Sequence, residues 1–108
     1  MRRCDIAIVV VPGDHGKPRP AVIVQSDLLN DSHASIIVCL LTTHQREIEG
    51  VHVAVEADAG TGIKERSFVM ADKVTALSRE KVRTVLGRLD HTTVQELNRC
   101  LMTVLDLH

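Results

Sequence analysis

Two short segments of the chain carry side chains that suit the chemistry of a phosphate group. The first is Lys17-Pro18-Arg19-Pro20, in which two prolines flank one arginine. Proline fixes its own φ and keeps the preceding residue out of the helical region, so Arg19 is held on a stiff, extended backbone. A guanidinium held in place suits a phosphate, because its planar fork donates two parallel hydrogen bonds. An ordinary surface arginine in a rigid turn is the alternative interpretation.

The second segment is Thr42-Thr43-His44-Gln45, which follows the apolar run Ile36–Leu41. Hydroxyl, imidazole and amide groups therefore stand together where a predicted strand ends. Side chains at a strand end leave the scaffold in a defined direction, which favours a role in binding or catalysis. The alternative is a polar strand terminus in which threonine serves only its β-propensity.

The sequence gives little support for a metal site, a disulfide framework or a reactive cysteine. The chain has six histidines, none of them at the two-to-four-residue spacing from another His or Cys that metal motifs show. Cys4, Cys39 and Cys100 are widely spaced and odd in number, which excludes a disulfide framework. Cys39 and Cys100 lie in apolar segments, where a cysteine is usually a small hydrophobic residue. We expect neither a metal nor a cofactor.

The elements that must position these residues are mostly strands. Apolar and alternating runs predict six of them, and the fifth is expected to carry a bulge near Ala71-Asp72. A polar connection is expected over Ser26–Ser35, and a short helical turn over Ser78–Val82. The predicted strands are Asp5–Val11, Ala21–Gln25, Ile36–Leu41, Val51–Glu56, Phe68–Leu77 and Val85–Leu89.

An amphipathic helix closes the chain. Asp90 or Thr92 is expected to cap it, and Thr92-x-x-Gln95 fits a capping box. Its apolar stripe comprises Val94, Leu97, Leu101, Val104 and Leu105. Together these elements predict a β-rich α+β domain spanning residues 1–108, a small barrel or sandwich with a C-terminal helix. Its apolar content exceeds what such a barrel hides, so we expect a homodimer that buries a sheet edge or the helix stripe.

Composition narrows the classes of function. The 108 residues carry a formal net charge of −1, and aromatic residues make up 1%. This excludes a strongly basic nucleic-acid coat and argues against base stacking on aromatic platforms. No apolar run reaches the ~18 residues of a membrane span, so we expect a cytoplasmic protein without membrane contact.

The order and spacing of several motifs resemble those of the MazF/PemK (Kid-like) family of toxin endoribonucleases over residues 3 to 107. The most specific is Pro18-Arg19-Pro20-Ala21-Val22. The others are Asp5-Ile6, Leu41-Thr42, Val69-Met70-Ala71-Asp72-Lys73-Val74 and Gly87-Arg88-Leu89-Asp90. The resemblance implies an SH3-like (MazF/PemK/CcdB-like) barrel, a homodimer, metal-independent cleavage of single-stranded RNA, and neutralisation by a cognate antitoxin.

The resemblance also implies roles for individual residues. The family's catalytic arginine falls on Arg19, and its catalytic threonine or serine falls on Thr42. Some members use an Arg-x-Asp pair, of which Asp72 matches the acid while Met70 replaces the arginine. Other members place a histidine in the first loop, where this chain has His15.

One departure from the family pattern concerns the N-terminal motif. It usually reads Arg-Gly-Asp, but this chain has Arg3-Cys4-Asp5. If the glycine position requires a positive φ, Cys4 is strained.

The chemistry expected from these residues is attack of the RNA 2′-OH on the adjacent phosphate, with proton transfer by His15, His44 or Asp72. Substrate-binding side chains are expected in the loops around residues 12–18, 43–50 and 57–66. The candidates are Lys17, Thr43, His44, Gln45, Arg46, Lys64 and Arg66, with Lys73 on the predicted fifth strand.

Two other functions stay open at the level of sequence. One is a CcdB-like toxin that poisons DNA gyrase through its C-terminal helix and needs neither Arg19 nor Thr42. The other is a catalytically inactive module that only binds an antitoxin-like partner.

Overall fold

The computed structural model describes residues 1–13, 15–44 and 48–107. Six strands and two helices account for most of this part of the chain. The strands are β1 (Asp5–Val10), β2 (Pro18–Ile23), β3 (Ser35–Thr42), β4 (His52–Val55), β5 (Ser67–Ser78) and β6 (Val82–Arg88); the helices are α1 (Asp27–Asn30) and α2 (His91–Val104).

All strand pairs are antiparallel, and the strands form one sheet in the order β4-β5-β3-β2-β1-β6. The sheet curls so that both of its faces carry buried aliphatic residues. Helix α2 covers one face, where Leu97 and Cys100 belong to the same buried cluster as Ile6, Val22 and Cys39. A second cluster on the other face contains Val9, Ile23, Ile36 and Val38. The β-rich α+β architecture with a C-terminal helix is the one predicted.

Strand β3 contributes to both clusters. Ile36 and Val38 belong to the second cluster, whereas Cys39 and Leu41 belong to the one under α2. The expectation that this apolar strand is buried on both faces is confirmed for these residues. The expected irregularity in β5 is also present, because the β3–β5 register shifts between Cys39 and Leu41, opposite residues 70–73.

Asp90, one of the two expected caps of α2, is confirmed, whereas the capping box at Thr92 and the place of Leu105 on the helix stripe were wrong. The expected polar connection contains the short helix α1. Ser26 caps the N-terminus of this helix, because its side chain accepts a hydrogen bond from Leu28 N. Helix α2 is capped by Asp90, whose Oδ1 accepts from Thr93 N at 2.8 Å, so Thr92 forms no capping box. Leu105 lies past the end of the helix and is 50% exposed.

The backbone at Cys4 has a φ of +72°. This is the left-handed conformation that favours glycine and strains residues with a side chain. Two hydrogen bonds hold it there: Cys4 N donates to Ile23 O at 2.7 Å, and Leu89 N donates to Cys4 O at 3.1 Å. Cys4 therefore has the positive φ that was expected to strain it.

Among the described residues, no helix is both long and apolar enough to cross a membrane.

Candidate functional site

A cleft of about 280 Å³ opens where β2 begins and β3 ends. Both segments that suggested phosphate chemistry contribute to its lining. Lys17, Pro18, Arg19 and Pro20 form one side, Leu41, Thr42, Thr43 and His44 form another, and Ser67 completes the lining.

The strand register brings Arg19 and Thr42 together. β2 pairs with β1 from Pro18 to Val22 but with β3 only from Ala21, which lies opposite Leu40. Continuing that register by two residues sets Arg19 opposite Thr42. Pro18 and Pro20 have no N–H to donate to the neighbouring strand. The ladder between β2 and β3 therefore stops where the cleft begins.

The hydroxyl of Thr42 has a defined local partner. Thr42 Oγ1 accepts a hydrogen bond from His44 N at 3.2 Å. This contact fixes the turn after β3 and uses one lone pair of the oxygen. A hydroxyl group also has a hydrogen to donate, so Thr42 has a donor for a bound acceptor.

The charge of the cleft favours an anion. Lys17 and Arg19 are its fixed cations, and the lining residues that the structure describes include no carboxylate. Arg19 is half-buried, which restricts its side chain more than that of the exposed Lys17. A guanidinium and a hydroxyl that face one cleft can together contact the oxygens of one phosphate.

Ser67 is a member of the site that sequence reasoning missed. It is the first residue of β5, it is buried, and its Oγ donates to Glu65 O at 2.9 Å. The β3–β5 register places Thr42 opposite Phe68, which brings Ser67 beside the end of β3. Ser67 precedes the apolar run of its strand, and only the register of β5 against β3 indicates that it reaches the cleft.

Comparison with known proteins identifies the fold and the family. A family model described as "PemK-like, MazF-like toxin of type II toxin-antitoxin system" matches residues 2–105. The chain belongs to this family. It is 34% identical over 108 residues to a probable endoribonuclease MazF of Mycolicibacterium smegmatis, covering 99% of this chain and 98% of that protein.

Solved toxin structures share the fold. One is the Mycobacterium tuberculosis toxin MazF-mt6, with a TM-score of 0.84, 21% identity, and coverage of 96% of this chain and 98% of that one. Another is a mycobacterial endoribonuclease in complex with its cognate antitoxin, with a TM-score of 0.82, 23% identity, and coverage of 100% and 97%. The resemblance inferred from the motifs is thus confirmed at the level of the family.

The remaining residues suggested by the PemK/MazF resemblance lie in different places. Asp72 contacts His52, with 3.4 Å between Oδ1 and Nε2, and it is not among the residues lining the cleft. His15 is exposed in the loop between β1 and β2, with a φ of +53°, and it does not line the cleft either.

Some of the predicted substrate-binding residues line the cleft, and others lie away from it. Lys17, Thr43 and His44 line the cleft, and Lys64 lines a neighbouring cavity that shares Thr43 with it. Lys73 is exposed on β5, and Arg66 pairs with Glu56 at 2.8 Å. Gln45 and Arg46 lie outside the described residues.

The cysteines of the chain are buried and add no nucleophile to the site. Burial raises the pKa of the Cys39 thiol to about 12, and it also raises the pKa values of Cys4 and Cys100. A thiol held in its neutral form is a poor nucleophile. Within the described ranges, no group of three or more His, Cys, Asp or Glu residues could hold a metal ion.

Proposed function

We propose that this protein is an endoribonuclease toxin that cuts single-stranded RNA at short sequence sites. Membership of the PemK/MazF-like family supports this, as does the 34% identity to a relative named as a probable endoribonuclease. The observation that carries the proposal is the placement of Arg19 and Thr42 on opposite strands of one cleft.

The proposed reaction is an internal transesterification. The 2′-oxygen of one nucleotide attacks the adjacent phosphorus, and the bond from phosphorus to the 5′-oxygen of the next nucleotide breaks. The products are a 2′,3′-cyclic phosphate and a 5′-OH. One proton leaves the 2′-OH and one is delivered to the departing 5′-oxygen, so atoms and charges balance.

Arg19 is proposed to stabilise the charge that develops on the phosphate. A guanidinium stays protonated at neutral pH, so it acts as a fixed cation and hydrogen-bond donor and not as a base. Thr42 donates a second hydrogen bond to a non-bridging oxygen. With this charge stabilisation supplied by the chain itself, we expect cleavage to proceed without a metal ion.

His44 is the residue we assign to proton transfer. Three residues were candidates from the sequence, and of these His44 lines the cleft while His15 and Asp72 do not. Histidine is also the side chain best matched to proton transfer near neutral pH. Asp72 lies outside the cleft, in contact with His52.

The proposed biological setting follows from the family. By cutting messenger RNA in the cytoplasm the toxin inhibits translation, and a cognate antitoxin neutralises it. The structural similarity to a mycobacterial endoribonuclease solved in complex with its cognate antitoxin supports the second point. We also propose that residues 1–108 form one toxin domain and that it assembles as a homodimer. Apolar residues left exposed, including Leu28, Met102 and Leu107, favour burial against another chain.

The test is cleavage of a mixed-sequence RNA by the purified protein in the presence of EDTA. We expect the wild type to cut and Arg19→Ala to be inactive while remaining folded. Arg83→Ala is the matched control, since Arg83 is an exposed arginine on β6 and should cut like the wild type. A folded wild type that cuts no RNA would contradict the proposal, and so would an Arg19→Ala variant of full activity. Toxicity retained by Arg19→Ala would favour gyrase poisoning.

A further inference from the structure

Strand β4 is an edge of the sheet, because it pairs with β5 and with no other strand of the described chain. The pairing continues just before the strand, where Ala71 N donates to Val51 O at 3.0 Å. In an antiparallel pair, successive residues alternate between bonding to the partner strand and facing away from it. Val53 and Val55 therefore bond to β5, whereas the N–H and C=O of Ala54 point out from the edge.

The outward backbone groups of Ala54 are open to another chain. Within the described residues, neither its N–H nor its C=O has a hydrogen-bond partner on that side. Ala54 is half-buried and lines a cavity of about 390 Å³, so there is space beside it. The neighbouring His52 differs, because its N–H donates to Ile48 O at 2.8 Å. The open part of the edge is thus short and centred on Ala54.

Helix α2 lies beside this edge and forms one wall of two cavities. A cavity of about 340 Å³ lies between the start of β4 and the second half of α2, and the cavity of about 390 Å³ lies between the end of β4 and the start of α2. The helix therefore runs antiparallel to β4 along the edge. We call the Ala54 edge with these two cavities the β4 edge surface. On its helix side, the lining residues are Asp90, Thr93, Glu96, Arg99, Cys100 and Thr103.

Carboxylates outnumber cations on the β4 edge surface. Its ionisable side chains are Glu49, Glu56, Asp58, Asp90 and Glu96, with His52, Arg88 and Arg99. Arg88 is already paired, because its Nη1 lies 2.7 Å from Asp5 Oδ1. Glu56 is paired with Arg66 at 2.8 Å. The remaining carboxylates give this surface a negative charge, opposite to that of the cleft of Arg19 and Thr42.

We propose that the β4 edge surface binds an extended segment of a partner protein that is rich in lysine or arginine, by adding it as a strand beside β4. The backbone of the segment donates to Ala54 O and accepts from Ala54 N, as in other cases of β-strand addition. Side chains of an added strand alternate between its two faces. Cations at every second position therefore share the face toward α2, where Asp90 and Glu96 lie.

Charge sets the kind of partner that the surface selects. An uncompensated group of carboxylates favours a basic segment and repels an acidic one. The β4 edge surface shares no lining residue with the cleft of Arg19 and Thr42. The inference therefore does not depend on RNA cleavage, and it assigns a second binding surface to the molecule.

The test uses peptide probes that differ in charge or in backbone donors. The first probe is a blocked, fluorescently labelled heptapeptide in which lysine and valine alternate. The second carries glutamate in place of each lysine. The third keeps the lysines but has methylated peptide nitrogens, so it has no N–H to donate to Ala54 O. Fluorescence anisotropy with the full chain measures the affinity of each probe.

Two variants locate the binding surface. Ala54→Pro removes the outward N–H, and the sheet should tolerate it because proline is accepted on edge strands where the N–H faces away from the sheet. Glu96→Lys reverses one charge on the helix side. Glu80→Lys is its matched control, because Glu80 is also exposed but lies in the turn between β5 and β6 and lines neither cavity.

We expect the lysine peptide to bind the wild type and to protect the Ala54 amide from hydrogen exchange, as measured by NMR. Ala54→Pro and Glu96→Lys should each bind this peptide about tenfold more weakly. Glu80→Lys should bind it like the wild type. The glutamate peptide and the methylated peptide should not bind measurably.

Several results would overturn the inference. These are a wild type that does not bind the lysine peptide, equal binding of the glutamate peptide, and wild-type affinity in Ala54→Pro. Binding that leaves exchange of the Ala54 amide unchanged would also overturn it, by showing attraction to surface charge alone. If Ala54→Pro does not fold, the exchange measurement and the methylated peptide decide the question on the wild type. Since no RNA enters these measurements, their failure leaves the proposed function intact.

Discussion

Among single residues, Thr42 has a hydroxyl group that is positioned by the turn that follows it. Thr42 accepts from His44 N and lies opposite Arg19 by strand register. The hydroxyl hydrogen is then available to a phosphate oxygen in the transition state. Loss of one such donor typically costs about 3 kcal/mol of transition-state stabilisation, on the order of a hundredfold in rate.

Thr42→Val should therefore lower kcat by about a hundredfold while leaving the fold intact, because valine has a similar shape but no hydroxyl. Thr42→Ser should retain most of the activity. Steady-state cleavage of a fluorogenic oligoribonucleotide measures both. Wild-type kcat in Thr42→Val would remove the hydroxyl from the mechanism.

Cys4 gives a second prediction at this scale. Its left-handed backbone strains any residue with a Cβ, by about 1 kcal/mol relative to glycine. Cys4→Gly and Cys4→Ala both lose the buried sulfur, but only glycine relieves the strain. Urea denaturation should show Cys4→Gly to be more stable than Cys4→Ala by about 1 kcal/mol. Equal stability of the two variants would show that the backbone at this position costs nothing.

Much of the site could be predicted from residue type and chain order, and part of it could not. The flanking prolines identify Arg19 as a candidate site residue. The position of Thr42 at the end of an apolar strand identifies it in the same way. Ser67 has no such signal, because its position follows from the pairing of β5 with β3. Asp72 matches a family motif, yet in this chain it contacts His52 outside the cleft. Which residues meet is set by register, and register is a property of the folded sheet.

At the scale of elements, the strands were predictable because alternating and β-branched runs identify them directly. Helix α1 was not, since four residues are too short to show an apolar period and its capping by Ser26 is a local event. The start of α2 offered two capping residues. Asp90 is the N-cap of α2, because its carboxylate accepts a hydrogen bond from Thr93 N, whereas Thr92 lies inside the first turn of the helix.

The cap of α2 makes stability depend on pH. The hydrogen bonds from Thr93 hold the pKa of Asp90 below its ordinary value, with the backbone N–H the larger cause. A carboxyl with a lowered pKa in the folded state contributes stability above its unfolded pKa of about 4 and loses it as pH falls through the folded value. Asp27, whose pKa is lowered mainly by the backbone N–H of Arg3, adds to the same trend.

We therefore expect the melting temperature of the wild type to fall below about pH 4 and that of Asp90→Asn to fall less steeply, because asparagine caps without titrating. Thr92→Ala is the matched control and should keep the wild-type pH profile. Melting followed by circular dichroism between acid and neutral pH measures all three. Parallel curves for the wild type and Asp90→Asn would contradict the assignment of the cap.

At the scale of the whole molecule, the near-zero net charge and the RNA substrate are compatible because the charge of the cleft is local. Lys17 and Arg19 lie together, and the described residues that line the cleft with them include no carboxylate. A site that binds only a few nucleotides needs two positioned cations and a hydroxyl group. It does not need a strongly basic surface. The scarcity of aromatic residues likewise leaves a core built of aliphatic side chains, with all three cysteines buried among them.

The buried thiols provide a test of this core. Burial raises the pKa values of Cys4, Cys39 and Cys100, and that of Cys39 reaches about 12. At pH 8 the folded protein should therefore react slowly with Ellman's reagent, and all three thiols should react at once in denaturant. Rapid reaction of one thiol in the folded protein would show that the core is open on that side.

We propose that the cleft of Arg19 and Thr42 cuts RNA through the 2′-OH. The most direct measurement compares an RNA oligonucleotide that the wild type cuts with the same oligonucleotide carrying one 2′-deoxy sugar on the 5′ side of the cut, both in EDTA. We predict cleavage of the first, with a 2′,3′-cyclic phosphate and a 5′-OH identified by mass spectrometry, and no cleavage of the second at that position. Cleavage of the 2′-deoxy substrate at the same bond would contradict the account.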